Sequence, residues 1–348
     1  MKIESSDRRV SLRDIAKQLG VSHVTVSMAL RNSPRISEKV RTEIREFADK
    51  VGYKPDPMLV ALSSYRLSKQ STPIHSAIGW INFWQKPDEL RRFKEFDLYW
   101  KGAYAAADKS GYRLEEFRLG ANINPIRLHQ ILSARGIRGL LLPPHPKPQP
   151  HWGDFPWSEY CVIRFGRSIS SPNTHVVTAD QVANTMLAYE EIQKRGYSRI
   201  GLITEETRVR ESGHIEGGFI LAQQNVAKED RVPIFSFGSS SAKQRGEAIA
   251  GWIKEHQVDA IFTDVAEVPS LLAKVGIKIP DDVSLAVSSV LDGNADAGIY
   301  QHPEEIGRVG FLLLNSLIND GAMGIPSIFR QDLVEGSWVD GASLPSKV

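Results

Sequence analysis

The chain has 348 residues, 41% hydrophobic and 24% charged, a globular balance too long for one small core, so two or three folded units are expected. No apolar run of roughly eighteen residues occurs and the opening MKIESSDRRVSLRD lacks an apolar signal core, so neither a membrane span nor secretion is indicated and the expected compartment is the cytoplasm. Cys161 is the only cysteine, which excludes an intrachain disulfide and multi-cysteine zinc or iron–sulfur sites; within YCVIRF it reads as strand packing. The net charge of +2 hides an asymmetry, because residues 1–70 hold 14 Lys and Arg against 8 Asp and Glu, a net of +6, and the remainder is net −4. A short basic end on a weakly acidic body points to a polyanion-binding module joined to a separate unit.

Three helical patterns open the chain. In SLRDIAKQLG, Ser11 and Asp14 have capping-box spacing, Leu12, Ile15, Ala16 and Leu19 share a face, and Gly20 suits the ending turn. A second helix starts at Ser22, whose hydroxyl can cap it, with Val26, Ala29 and Leu30 at the spacing that buries one side. The third is predicted from Ser37 to Gly52, with Val40, Ile44, Phe47, Ala48 and Val51 as its apolar stripe. Helix, glycine turn and second helix is the helix-turn-helix arrangement, in which the second helix enters the DNA major groove. With Val26, Ala29 and Leu30 inside, Ser22, His23, Val24, Thr25 and Met28 are left to face the groove. His23 can donate or accept at its ring nitrogens, Val24 can meet a thymine methyl, and Ser22 and Thr25 can donate to phosphates.

The stretch SLRDIAKQLGVSHVTVSMALRNSPRISEKVRTEIREFADKVGYKPDP resembles the DNA-binding head of the lactose-repressor (LacI/GalR) family, with its DIA, GVS, TVS, S..vR and lGY.P elements in order. Met28 stands where many members carry Arg after TVS; Arg31 and Arg35 are available for the DNA backbone. After Pro55 comes PMLVALSSYRLSKQ, in which Pro57 suits a helix start and Met58, Leu59 and Leu62 share a face. So short a helix is marginal alone. The resemblance implies that this hinge forms on operator DNA, pairs with that of a dimer mate and places Leu62, with Met58 and Leu59 beside it, at the minor groove. Members commonly have Ala where this chain has Leu59.

From about residue 74, buried strands alternate with amphipathic helices, as in a parallel α/β sheet: HSAIGWINFW, YRLEEFRLG, GLLLPP, RIGLIT, VDAIFTD and VSLAVSS read as strands, and LYWKGAYAAADKSGY and PIRLHQILSARGIRG as helices with their turns. Because the rhythm restarts at RIGLIT, two doubly wound units are expected, each with its strand carboxyl ends at a cleft. DQVANTMLAYEEIQKRGYSRIGLIT, DAIFTD, GIKIPDDVSLAV and QHPEEIGRVG resemble the family's body in order and spacing. The fold class implied is a small all-α helix-turn-helix head plus an α/β periplasmic-binding-protein-like core of two doubly wound parallel-sheet lobes, crossed by three strands. The expected division is 1–56 for the DNA-binding head, 57–73 for the hinge helix and linker, 74–195 with 302–328 for the N-terminal lobe, and 196–301 with 329–348 for the C-terminal lobe.

Strand ends place Asn82, Phe83 and Trp84 at the cleft, where aromatic faces would suit the apolar side of a sugar ring. The resemblance carries Asp180, Asp264 and Gln301 over as effector-site positions, Asp180 preceding the last helix of the first lobe. Two departures stand beside them. His214 and Ile215 occupy the region of the family's R..G[FYW] arginine, with Arg208 and Arg210 upstream, and the GfDd signature appears as VSSV, leaving Ser289 where an aspartate often takes sugar hydroxyls.

No GK[ST] phosphate loop, HExxH, GxSxG or Cys/His constellation supports catalysis, and no cofactor or metal is expected. A transport-binding protein is disfavoured by the attached DNA head. The sequence therefore predicts a homodimeric DNA-binding transcriptional regulator, a repressor of a pseudo-palindromic operator, gated by a small carbohydrate-like effector. Two alternatives stay open: a sugar-binding protein whose DNA role is secondary, and an effector-independent regulator.

Overall fold

A computed structural model of the chain describes residues 10–30, 36–51, 53, 76–119, 124–145, 151–206, 213–238 and 240–348. The head contains α1 (Leu12–Leu19), α2 (His23–Leu30) and α3 (Glu38–Lys50), the last ending inside its expected span. Ser11 and Asp14 cap α1 reciprocally, Asp14 N–H donating to Ser11 Oγ at 3.3 Å and Ser11 N–H to Asp14 Oδ2 at 2.9 Å. Gly20 ends the helix in the left-handed region (φ 66), which a Cβ would disfavour. Ile15, Ala16, Val26, Ala29, Ile44 and Ala48 form the buried centre of the head.

The body is built on two six-stranded sheets. Its elements are β1 (Ser76–Asn82), α4 (Lys94–Lys109), β2 (Tyr112–Arg118), α5 (Pro125–Ala134), β3 (Gly139–Leu142), β4 (Cys161–Phe165), β5 (His175–Ala179), α6 (Gln181–Lys194), β6 (Ile200–Glu205), α7 (His214–Gln223), β7 (Phe235–Phe237), α8 (Ala242–His256), β8 (Ala260–Thr263), α9 (Val268–Lys274), β9 (Ser284–Val287), β10 (Gly298–Tyr300), α10 (Pro303–Asp320), β11 (Gln331–Val334) and β12 (Ser337–Val339). The first sheet has the order β11-β5-β4-β3-β1-β2 and the second β12-β10-β9-β8-β6-β7. All pairings are parallel except that of β12 with β10. Cys161, at the start of β4, is fully buried, as strand packing requires.

Two assignments of chain to lobe differ from the expected division. Helix α6 packs with α7 and the second sheet, burying Ala188, Tyr189 and Ile192 beside Ile200, Leu202 and Phe219, so 181–194 belongs with the second lobe. Strand β11 pairs with β5 in register Gln331 to Val176, so 331–334 belongs with the first. The chain thus passes between sheets three times, after β5, after β10 and between β11 and β12. The second passage falls at Gln301, at the expected boundary of 301 and 302, whereas the first comes at Asp180 rather than after 195 and the third between the short strands β11 and β12 rather than after 328.

Helices α4 and α10 cross closely on one face of the first sheet. A Cβ on Gly102 would lie 1.9 Å from Glu304 O, and one on Gly307 2.0 Å from Tyr99 O, so only hydrogen fits at either position. Trp80, Tyr99, Phe165, Ile306, Phe311 and Leu314 fill the layer beneath. This packing fixes the amino end of α4 at the cleft.

Candidate nucleic-acid interface and interlobe cleft

On the head, α2 presents the residues expected to face DNA. Val26 and Ala29 are buried, Ser22, His23 and Val24 are exposed, and Thr25 and Met28 are partly covered. Val24 is 50% exposed, an apolar side chain held out to water on a short helix. Ser22 and Thr25 are engaged with one another: Thr25 N–H donates to Ser22 Oγ at 3.0 Å, and the two hydroxyls lie 2.8 Å apart. Their first task is thus to close the free amino end of α2, and between them one hydroxyl proton and two lone pairs stay available at the surface. Arg31, Arg35, Met58, Leu59 and Leu62 lie outside the described residues, as do Arg208 and Arg210.

The cleft side of the body is lined by strand carboxyl ends, and the expected effector residues have unlike surroundings there. Asn82 ends β1 fully buried and spends its amide inside the first lobe: Nδ2 donates to Pro87 O at 3.0 Å and Glu116 Oε1 at 2.9 Å, and Oδ1 accepts from Trp84 N–H at 3.1 Å. Trp84 is buried, its indole N–H donating to Pro144 O at 2.9 Å. Phe83 packs edge-on against Trp152, centroids 4.1 Å apart, in an aromatic cluster with Phe155 and Trp157. The side-chain polar atoms of Asn82 and Trp84 are thus engaged within the first lobe, and Phe83 packs among aromatic rings of that lobe.

Asp180 is the N-cap of α6, accepting from Ala183 N–H at 3.0 Å, with its own N–H on Val334 O at 2.8 Å. Gln301 follows β10 at the second passage, 5% exposed, its Nε2 donating to Ser288 O at 2.7 Å and its Oε1 accepting from Gln181 Nε2 at 3.2 Å. His302 beside it takes a left-handed conformation (φ 51) that turns the chain into α10. His214 opens α7, Asp264 follows β8, and both are half-buried on the second lobe. Ser289 is buried after β9.

Residues the sequence did not single out join this set. Glu216 is buried on α7 and accepts from the Thr204 hydroxyl at 3.0 Å. Asp292, on the second lobe, accepts from the N–H groups of Lys94 at 3.0 Å and Glu95 at 3.1 Å on the first. Burial pushes the Glu95 carboxyl up to about 7, against the stabilising hydroxyl of Ser289 and helped by the charge of Asp292. Tyr300 donates to Glu304 Oε2 at 2.8 Å across the same junction. No spacing could have marked Glu95 and Asp292, which lie nearly two hundred positions apart.

Comparison with known proteins bears on both regions. Residues 11–56 match the sequence model of the family described as "Bacterial regulatory proteins, lacI family". The chain is similar to the HTH-type transcriptional regulator MalR of Streptococcus pneumoniae, 23% identical over 92% of this chain and 97% of the relative. Over 47 residues, 14% of each chain, it is 49% identical to the probable HTH-type transcriptional repressor ExuR of Bacillus subtilis. Among solved structures it shares its fold with the transcriptional regulator CelR–cellobiose complex (TM-score 0.54, 17% identity, 96% of this chain and 100% of that one). It also shares the fold of the lac repressor dimer bound to operator and the anti-inducer ONPF (TM-score 0.53, 16% identity, 97% and 100%). Residues 11–56 thus form a helix-turn-helix domain of the type found in lacI-family bacterial regulatory proteins, joined to two parallel-sheet lobes that share the fold of the lac repressor.

Proposed function

We propose that the protein is a cytoplasmic transcriptional repressor, not an enzyme, that binds a pseudo-palindromic operator as a homodimer and is gated by a carbohydrate-like small molecule between its lobes. The observation that carries this reading is the exposed His23–Val24 face of α2 in a chain whose first 70 residues are net +6. One such helix reads few base pairs, so two heads about one helical turn apart are needed for a usable site. Arg31 and Arg35 are proposed for the phosphate backbone, and Met58, Leu59 and Leu62 for the minor groove.

For the effector, His214, Asp264, Ser289 and Gln301 supply the polar wall, Asp180 anchors the first passage between lobes, and Asn82, Phe83 and Trp84 set the shape of the opposite side. Solved structures of similar fold hold cellobiose, glucose or D-xylulofuranose, which supports a carbohydrate here. The test is a fluorescence titration of the full chain against a selected duplex and a scrambled one, across salt and with a panel of mono- and disaccharides. Expected are a specific affinity orders of magnitude above the scrambled duplex, a steep loss with salt as counterions are released, and a shift with one sugar class. Equal affinity for both duplexes overturns the regulator reading, and a specific complex that no sugar shifts overturns the carbohydrate gate.

A further inference from the structure

Helix α4 lacks a cap of its own. Its N-cap residue is Phe93, extended and without a side-chain acceptor, so the first N–H groups of a 16-residue helix have no local partner. The acceptor comes from the other lobe, since Asp292 places one carboxylate oxygen on Lys94 N–H and the other on Glu95 N–H, at 3.0 and 3.1 Å. A carboxylate at the positive end of a helix dipole is favoured twice, by hydrogen bonding and by charge.

The loop carrying Asp292 is itself fixed to the second lobe. Gly293 N–H donates to Ser289 O at 2.8 Å in a turn too tight for a Cβ, which would lie 2.5 Å from that same oxygen, and Asn294 Nδ2 donates to Ala266 O at 2.9 Å. Lobe separation must therefore break the cap rather than drag the loop along. Beside the cap, Glu95 stands with one carboxylate oxygen buried and without a hydrogen-bond partner, facing Ser289 and Asp292 from the second lobe, Tyr99 from its own helix and Tyr300 from β10. No cation is among these neighbours, so a charged Glu95 works against the closure that Asp292 maintains.

We propose that Asp292 is a latch that holds the two lobes together by capping α4, and that Glu95 is the opposing element that weakens it. This deepens the two-lobe regulator reading by naming how the cleft is set. It is tested on the full chain by pulsed electron–electron distance measurement between spin labels at Lys109→Cys and Lys254→Cys, exposed positions on the two lobes. Labelled chain is diluted into unlabelled chain so that one pair is read. Cys161 stays unlabelled because it is buried and its thiol is pushed up to about 11.

Asp292→Ala is expected to raise the open-to-closed ratio roughly tenfold, Asp292→Asn to raise it less, and Glu95→Gln to lower it. Asp292→Asn retains an acceptor and serves if the alanine variant does not fold. Opposite shifts from the two positions support the latch; an unchanged distance distribution for both Asp292 variants, or shifts of the same sign at 292 and 95, overturns it. The distances are read without DNA, so failure of the latch is distinct from failure of operator binding.

Discussion

The hydroxyl of Ser22 lies 2.8 Å from that of Thr25 and accepts the Thr25 N–H at 3.0 Å, which makes the amino end of the groove-facing helix depend on its own surface residues. Ser22→Ala is expected to cost about 1 kcal/mol of head stability and to weaken binding to all DNA sequences alike, because fraying of α2 displaces every contact it carries. Ser22→Asn keeps an acceptor and restores the cap. Hydrogen exchange at the Thr25 amide checks the cause: protection should fall in Ser22→Ala and return in Ser22→Asn.

Glu95 gives the body a signed pH dependence. Its carboxyl is raised from 4.5 to about 7, so between those values the folded chain holds a proton that the unfolded chain has lost. Its contribution is then complete below about pH 4.5, declines as pH rises to about 7, and changes no further above that. The span corresponds to a total on the order of 3 kcal/mol. Urea denaturation at pH 5 and pH 8 should show Glu95→Gln gaining on the native chain at the higher pH; a constant difference between the two proteins would refute the assignment.

Asn82 is expected to behave as a structural residue of the first wall. Asn82→Ala leaves Trp84 N–H, Pro87 O and one oxygen of Glu116 without their partner, a loss of about 1–3 kcal/mol for buried polar groups. Denaturation midpoint should fall while the sugar preference, measured by competition, keeps its order.

Gly307→Ala tests the α4–α10 crossing. The added Cβ would meet Tyr99 O at 2.0 Å and Ala103 N at 3.0 Å, so the helices must part, with a loss of about 1–3 kcal/mol or more. Because the same crossing sets the amino end of α4, the interlobe distance should shift as well.

The head was legible in the sequence because every relation in it is local. Ser11 meets Asp14, Gly20 follows the last apolar residue, and Val26 and Ala29 fall one helical turn from their neighbours, so spacing alone identified which side of α2 is exposed. The sheets were legible in their buried early strands, as in GLLL and the AIF of AIFT, where apolar runs mark strands covered on both faces. The cleft was not. Asn82 and Trp84 were placed at the correct strand end, yet whether their polar atoms face a ligand or their own lobe depends on Pro87, Glu116 and Pro144, which no periodicity ties to them. Asp292 lies in a loop with ordinary turn composition, and its partner is the backbone of a helix in the other lobe.

Sequence recognition is expected to lie on the exposed face of α2, where His23 and Val24 can reach base edges. Selection from a duplex library randomised across one half-site, performed in parallel with the native chain and with His23→Ala and Val24→Ala, tests it most directly. The native chain should return a defined motif, and each variant should lose preference at one or two positions while keeping the rest, a change of ~1–3 kcal/mol at a position where His23 makes a well-formed contact. Identical motifs from all three proteins would place sequence recognition elsewhere in the chain.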